Sequence, residues 1–456
     1  MRSLLKLFAD FSEKEGFAAN SFIVGGTVRD IILGKELKDI DITVKGDAVN
    51  IAKKFAEKIN ASFVLMDKDL GIARVVKNAE FIDICLMRGN TIYDDLADRD
   101  ITINAMAIPL KDSVKVSKCQ SVKDSDALIK DSVKVSKCQS VKDSDTLTLG
   151  NSDTSLVSQI IDPFEGKNDL LNKIIRMLSE DNLTKDPLRI LRIYRFALSL
   201  NFSIEDNTLN STQRLAPLIA SAAVERIAEE LRYIVRLDDS YKTMKALMDN
   251  RILINIFPEV KEEFRVQSLD LYRKVEEILN NPSHFLLPTS CFPLLTFKKI
   301  CLKLSTLFHD PDTAKQSAIR LKMSRKEVEF IHEMVLNRSK ILSSYKEIEG
   351  MADETNIIGL LKEFRDDVYP LIILSIAQKP SIVDFCKEVI NIYENAFKPR
   401  ASLLPIITGN DLVNTFNLKP SPLFKKILAA IENMALEGKI NTKEEAIKTV
   451  REMLSL

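Results

Sequence analysis

Along the first 110 residues, short apolar runs alternate with amphipathic stretches. Strand-like runs fall at Ser21–Val24, Asp39–Val44, Ser62–Met66, Ala73–Val76, Phe81–Leu86 and Ile103–Pro109, and helical spacing of apolar positions at Leu4–Glu15, Val28–Leu33 and Asp47–Ile59. A two-residue period interleaved with a 3.6-residue period predicts an α/β or α+β head. From Asp169 onward the helical spacing persists to the end of the sequence, so the second half is predicted all-α. Breaks are expected at Asn281–Pro282, Asp310–Pro311, Lys398–Pro399 and Lys419–Pro422, where proline removes a donor and restricts the residue before it.

One stretch has neither period. KDSVKVSKCQSVKDSD occupies Lys111–Asp126 and recurs unchanged at Lys130–Asp145. Its apolar residues are too few and too small to bury much surface, which predicts a flexible surface insertion over about residues 110–158. Cys119 and Cys138 sit in the two copies without a histidine or third cysteine beside them to complete a metal site.

Composition narrows the picture. The 456 residues allow two to four domains, and 45% hydrophobic content supplies their cores. Sixty-five basic side chains balance sixty-five acidic ones, so a nucleic-acid partner needs a local basic surface and cannot rest on net charge. None of the six cysteines forms a C-x-x-C pair, which reads as reduced thiols in a cytoplasmic protein. The opening MRSLLKLFADFSEKEG is interrupted by Lys6 and Asp10 and reads as an amphipathic helix, not a signal peptide. No apolar run is long enough to span a membrane, so no membrane partner is expected.

The chemistry concentrates near the start. In SFIVGGTVRDIILGKELKDIDITV an apolar strand meets Gly25-Gly26, a short helix follows, and a second strand carries Asp39 and Asp41. Alternation along a strand places both carboxylates on one face, where they repel unless a cation lies between them. Hard oxygen ligands of this kind suit Mg2+, which leaves positions for water and substrate phosphates. Paired glycines let backbone amides approach a triphosphate in front of a helix N-terminus. Together these point to nucleotidyl or phosphoryl transfer. Asp83, in the strand FIDICLMR, is a candidate third carboxylate that could equally face solvent.

The motifs, taken in order, resemble those of the class II tRNA nucleotidyltransferase and bacterial poly(A) polymerase family, within the DNA polymerase β-like nucleotidyltransferases. Gly25–Asp30 with Asp39-Ile40-Asp41 resembles the first motif, and Asp95–Ala107 (DLADRDITINAMA) the second. Asp162-Pro163-Phe164-Glu165-Gly166 with Asp169-Leu170 and Arg176 resembles the third, and Asp186-Pro187-Leu188-Arg189 with Arg192, Arg195 and Phe196 the fourth. Glu225-Arg226-Ile227 with Glu229-Glu230-Leu231 resembles the fifth. Ile407–Leu412 and Glu437–Ile440 are similar to the tail of many bacterial members.

The resemblance implies an α+β chain: a polymerase β-like nucleotidyltransferase head over residues 1–178, a helical neck with the base-selection motif over 179–250, a helical body over 251–345, and a helical RNA-binding tail over 346–456. It assigns Asp39 and Asp41 to two catalytic Mg2+ ions. Gly25 and Gly26 would cradle phosphates, with Arg29 and Asp30 supporting the loop. Arg99, Asp100 and Asn104 would meet sugar and triphosphate, although Asp and Asn at such positions also serve as caps and turn formers. Asp186 and Arg189, side by side at i and i+3 of a helix, would read cytosine and adenine, or would form a plain surface ion pair. Arg192 and Arg195 could reach phosphates or form a solvated basic stripe. Three departures from the family pattern stand out: Asp98 where arginine is usual, Ile101 where phenylalanine is usual, and Lys185 where glutamate is usual.

His309-Asp310 lies where relatives carry a metal-dependent phosphohydrolase domain of the HD type. With only three histidines in the chain, a helical scaffold without the metal site is expected. The function implied is addition of CCA to the 3′ end of tRNA from CTP and ATP. The alternatives are a partial enzyme adding only C or only A, a poly(A) polymerase, or a non-catalytic RNA-binding protein. Poly(A) polymerases of this group tend to be strongly basic, so the neutral balance favours tRNA.

Overall fold

The computed structural model describes residues 2–35, 37, 39–78, 80–111, 159–285, 298–347, 354–364 and 367–454; the duplicated insertion lies outside them. The chain divides into two compact units, Met1–Ala222 with Asn250–Asn255, and Ala223–Asp249 with Ile256–Leu456.

The first unit is built on six strands: β1 (Ser21–Val24), β2 (Asp39–Val44), β3 (Ser62–Asp67), β4 (Ile72–Lys77), β5 (Glu80–Leu86) and β6 (Ala107–Pro109). They lie in the order β3-β4-β5-β2-β1-β6, antiparallel throughout except for the parallel pair β2 and β5. Alternation divides the central strands cleanly. Ile40, Ile42, Val44, Ala73, Val75, Ile82 and Ile84 are all buried on one face. Helices α1 (Arg2–Lys14) and α3 (Ala48–Ile59) cover that face, and Phe8, Phe11, Phe17 and Phe55 cluster there, the Phe8 and Phe55 rings meeting edge-on at 4.9 Å. Each such side chain contributes about 1.5–3 kcal/mol on leaving water, which fixes the register and therefore what the other face presents.

Two sequence expectations shift in detail. The short helix α2 spans Gly26–Ile32, beginning two residues earlier than predicted, because Gly25 takes the positive φ of +67° that turns the chain into the helix. The predicted strand Ile103–Pro109 is strand only from Ala107; Thr102–Asn104 form a 3-10 turn instead. Polar side chains hold that turn against the ladder: Thr102 Oγ1 donates to Asp169 at 2.6 Å, and Asn104 Nδ2 donates to Asp100 at 3.1 Å. Helix α4 (Ile92–Ala97) precedes it, closed at its start by a Thr91/Asp94 capping box.

Beyond the insertion, the first unit continues with α5 (Gly166–Leu171), β7 (Ile174–Ile175), α6 (Glu180–Lys185), α7 (Leu188–Leu200) and β8 (Ser203–Ile204). The two-residue strands β7 and β8 pair in parallel, a small exception to the all-α expectation for this half.

The described residues of the second unit are helical. Its most apolar helix, Val368–Gln378, is buried from Val368 through Ala377. Towards the end, Ile407, Leu412, Ile427, Ile431, Ile440, Ala446 and Val450 make a separate core. His309 and Asp310 have gone to structural duties: His309 stacks on Phe264 at 4.2 Å and bonds Ser268 at 3.1 Å, while Asp310 caps the helix Pro311–Arg320. Among the described residues no helix is long and apolar enough to cross a membrane.

Candidate active site

The face of the sheet opposite the Phe cluster carries the charged residues. Asp41 on β2 is the register partner of Asp83 on β5, and Asp83 in turn lies opposite Arg74 on β4, so three strands place Arg74, Asp83 and Asp41 in one row. Asp39 stands one side-chain step along the same face and is exposed, whereas Asp41 is half-buried. Thr27 of α2 locks this strand end, its Oγ1 accepting from the Asp41 amide at 2.8 Å and donating to the Asp39 carbonyl at 3.2 Å.

Electrostatics mark Asp41 as the strained member. Burial, then the neighbouring Asp83 carboxylate, push its pKa from 3.8 up to about 6; Arg99 opposes them, and Asp39 adds to the rise. Asp83 does not simply face solvent: Arg74 grips it through two bonds of 2.7 Å, and packs over Phe81 at 4.2 Å. Among the described residues no three His, Cys, Asp or Glu side chains form a ready metal cluster. The open donors are thus the pair Asp39 and Asp41. Two hard carboxylates on one face fit a divalent cation that takes its remaining ligands from water and phosphate.

The glycine loop lies against this pair. A Cβ built on Gly25 would meet Arg99 Nη1 at 2.6 Å and Asp41 Oδ2 at 3.7 Å, so only glycine lets the guanidinium settle over the loop beside the carboxylate. Asp95 of α4 aims Arg99 with bonds of 3.2 and 2.8 Å. Arg29 pairs with Asp30 at 2.9 and 3.0 Å and donates to Asn104 Oδ1 at 2.8 Å. Asp100 is buried, and Arg192 Nε and Nη2 both meet its Oδ2, at 2.8 and 2.7 Å; that pairing, with Asn104 on Oδ1, holds its carboxyl down at about 2 despite burial. Arg192 is thus paired with a buried carboxylate while its own side chain stays 34% exposed. Phe196 carries Arg195 at 4.3 Å, Arg192 at 5.4 Å and Arg29 at 5.5 Å around its ring.

Asp186 and Arg189 do not share a helix, as the i, i+3 reading required. Pro187 disfavours helical geometry in the residue before it, so Asp186 ends α6 in an extended conformation (φ −135°, ψ 90°) and α7 starts afresh at Leu188. The tight turn still keeps them together: Arg189 Nε lies 4.0 Å from Asp186 Oδ2, and the Arg189 amide donates to the Asp186 carbonyl. Arg189 Nη1 also donates to the Arg99 carbonyl at 3.2 Å. Thr27 and Asp95 lay inside the quoted motifs without a role assigned to them, and Arg74 escaped sequence reasoning altogether. Arg74 was findable in principle, since a basic residue on a neighbouring strand is the expected partner of a strand carboxylate.

Three family models match this chain: the Poly A polymerase head domain at residues 21–124, the probable RNA and SrmB-binding site of polymerase A at 201–264, and the second domain of tRNA nucleotidyltransferases at 371–450. The chain carries the Poly A polymerase head domain and is similar along almost its whole length to tRNA nucleotidyltransferases. It is 27% identical to a CC-adding tRNA nucleotidyltransferase of Synechocystis, over 94% of this chain and 93% of that one. It is 26% identical to an A-adding enzyme of Halalkalibacterium halodurans (99% and 92%), and 25% to a CCA-adding enzyme of Streptococcus suis (95% and 92%). Among solved structures it resembles a CCA-adding enzyme in complex with ATP, with a TM-score of 0.69 at 21% identity over 100% of this chain and 94% of that chain. A Thermotoga maritima CCA-adding enzyme complexed with tRNA gives 0.66 at 21% identity, over 99% and 95%. The head-plus-helices fold expected from the sequence is the fold these proteins share.

Proposed function

We propose that the chain is a template-independent RNA nucleotidyltransferase that builds CCA on the 3′ end of tRNA from CTP and ATP in the cytoplasm, with Mg2+ as its metal. One observation carries the reading: Arg99 links three parts of the candidate site. Its guanidinium lies on Gly25 beside Asp41, and its carbonyl accepts from Arg189. Metal carboxylates, phosphate loop and base-reading arginine are thus joined through one residue.

In this reading Asp39 and Asp41 hold the metal. When bound, it would activate the RNA 3′-hydroxyl and neutralise the departing pyrophosphate. Asp83 adds negative charge beside Asp41 while Arg74 keeps its oxygens engaged. Gly25 and Gly26 admit the triphosphate to the backbone, and Arg99 pairs with it. Asp100, Asn104, Arg29, Asp30 and Arg192 form the interlocked support beneath, and Arg195, stacked on Phe196, flanks it. Asp186 accepts from the exocyclic amino group of cytosine or adenine, and Arg189 donates to the adjacent ring nitrogen. Uracil and guanine present an N–H there, donor against donor. The helical parts predicted as neck (179–250), body (251–345) and tail (346–456) would carry the acceptor arm through backbone phosphates.

A narrower output is the second reading, because relatives matched along almost the whole chain include a CC-adding and an A-adding enzyme. Incorporation on tRNA transcripts ending before CCA, after C and after CC, each with CTP, ATP or both, tests the two. Completion on all three supports the full enzyme, and stalling after CC or addition only to the CC-ended transcript supports a partial one. Long A tails on unrelated RNA would refute the tRNA assignment.

A further inference from the structure

Asp98, one of the departures from the family pattern, is placed where it can act on base selection. It caps the C-terminal end of α4, one residue before Arg99. Its Oδ2 lies 3.9 Å from Arg189 Nη2 and 2.7 Å from Arg88 Nη1, so one carboxylate oxygen is shared by two guanidiniums. Arg189 is buried; its Nη1 bonds the Arg99 carbonyl at 3.2 Å, and the carboxylates of Asp98 and Asp186 lie at ion-pair distance, 3.9 Å from Nη2 and 4.0 Å from Nε. Burial pushes the Arg189 guanidinium below its ordinary value, and Asp98 is the largest of the charges that oppose this, ahead of Asp100 and Asp186. Position 185, just ahead of Asp186, is a lysine and offers no anion to the fork.

We propose that Asp98 is a specificity-determining positioning residue: its charge draws the Nη2 end of the Arg189 guanidinium into its direction toward the incoming base, and Arg88 tunes it by competing for the same oxygen. The inference rests on the reading of Arg189 as base reader. A planar fork discriminates only while its direction is held, because a donor free to swing aside no longer meets the N–H of uracil or guanine. Asp98 faces Arg189 Nη2, whereas Asp186 faces its Nε. Losing it therefore releases the fork without removing the acceptor for the amino group.

The test compares kcat/KM for CTP and UTP on a tRNA transcript ending before CCA, in wild type, Asp98→Ala, Asp98→Asn, Asp98→Glu, Arg88→Ala and Arg189→Ala, with melting temperature as a folding control. The expected result is a loss of C-over-U discrimination of tenfold or more in both Asp98→Ala and Asp98→Asn, through a higher KM for CTP and a gain with UTP. Asp98→Glu should restore it, and Arg88→Ala should keep or sharpen it. Equal loss with both nucleotides, or unchanged discrimination in Asp98→Asn, overturns the proposal while leaving the transferase reading intact. If Arg189→Ala keeps wild-type discrimination, or wild type incorporates nothing, the base-reader premise itself falls.

Discussion

Replacing Asp41 with asparagine should cut transfer about a thousandfold and stabilise the metal-free protein at the same time. The Asp41 carboxylate sits half-buried beside Asp83 and Asp39, and its proton affinity rises from a pKa of 3.8 to about 6. A rise of that size corresponds to at most about 3 kcal/mol, at about 1.4 kcal/mol for each tenfold change in affinity. Water reaching a half-exposed carboxylate screens part of this, leaving about 1–2 kcal/mol. The sign follows from proton binding. Between about pH 4 and 6 the unfolded chain has lost the Asp41 proton while the folded chain retains it, so stability falls as pH rises through this window. Above about 6 both forms are ionised and the penalty is constant. Asp41→Asn should therefore melt roughly 2–8 °C above wild type at pH 7.5, with the gain fading as pH is lowered to about 4. Millimolar Mg2+ should raise the wild-type transition and leave the variant unmoved. Transfer should drop by roughly a thousandfold, the loss of about 4 kcal/mol of charge stabilisation. Calorimetry across pH, with and without Mg2+, measures all of this. A variant that melts at or below wild type at pH 7.5, or gains as much at pH 4, would refute the claim that charge crowding at this strand end is held ready for a cation.

Other perturbations have equally definite outcomes. Gly25→Ala forces a Cβ to within 2.6 Å of Arg99 Nη1 at a φ of +67°, and steady-state kinetics should register a fall in kcat/KM of about a hundredfold, with a stability loss of about 1–2 kcal/mol in denaturant melts. Arg189→Lys keeps the charge but loses the planar fork, so CTP and ATP should lose their preference over UTP and GTP while metal-stimulated melting stays as in wild type. In the second unit, Lys303 is buried with its Nζ on Glu276 at 2.5 Å, the Val235 and Leu237 carbonyls, and Ser240. Lys303→Met should cost about 3–5 kcal/mol in urea unfolding by removing the cation beside Glu276, and adding Glu276→Leu should not recover it, because the Ser240 and Tyr241 amides then lose the carboxylate that accepts from them.

What the sequence disclosed depended on how local the physics was. The sheet strands were legible because burial on one face imposes a two-residue period, and Asp39, Asp41 and their helical neighbours followed from it. The turn at Thr102–Asn104 was not, because it is held by Asp169, 67 residues away from Thr102. Asp186 and Arg189 were legible as a pair but not in their geometry: the spacing suggested one helix, and the intervening proline gives two helices with a corner between them. The partners of the charged residues were the least legible. That Asp83 belongs to Arg74, Arg99 to Asp95 and Arg192 to Asp100 is decided by strand register and by where α4 and α7 fall. The same limit governs Asp98. As a letter it is a departure from a motif, which by itself argues for weakened function. As an atom 3.9 Å from Arg189 Nη2, it supplies an anion where the guanidinium needs one. A motif scored by identity would count positions 98 and 185 as two losses. Geometry allows them to be one exchange, in which the acidic partner of the base-reading arginine comes from the end of α4 instead of the end of α6.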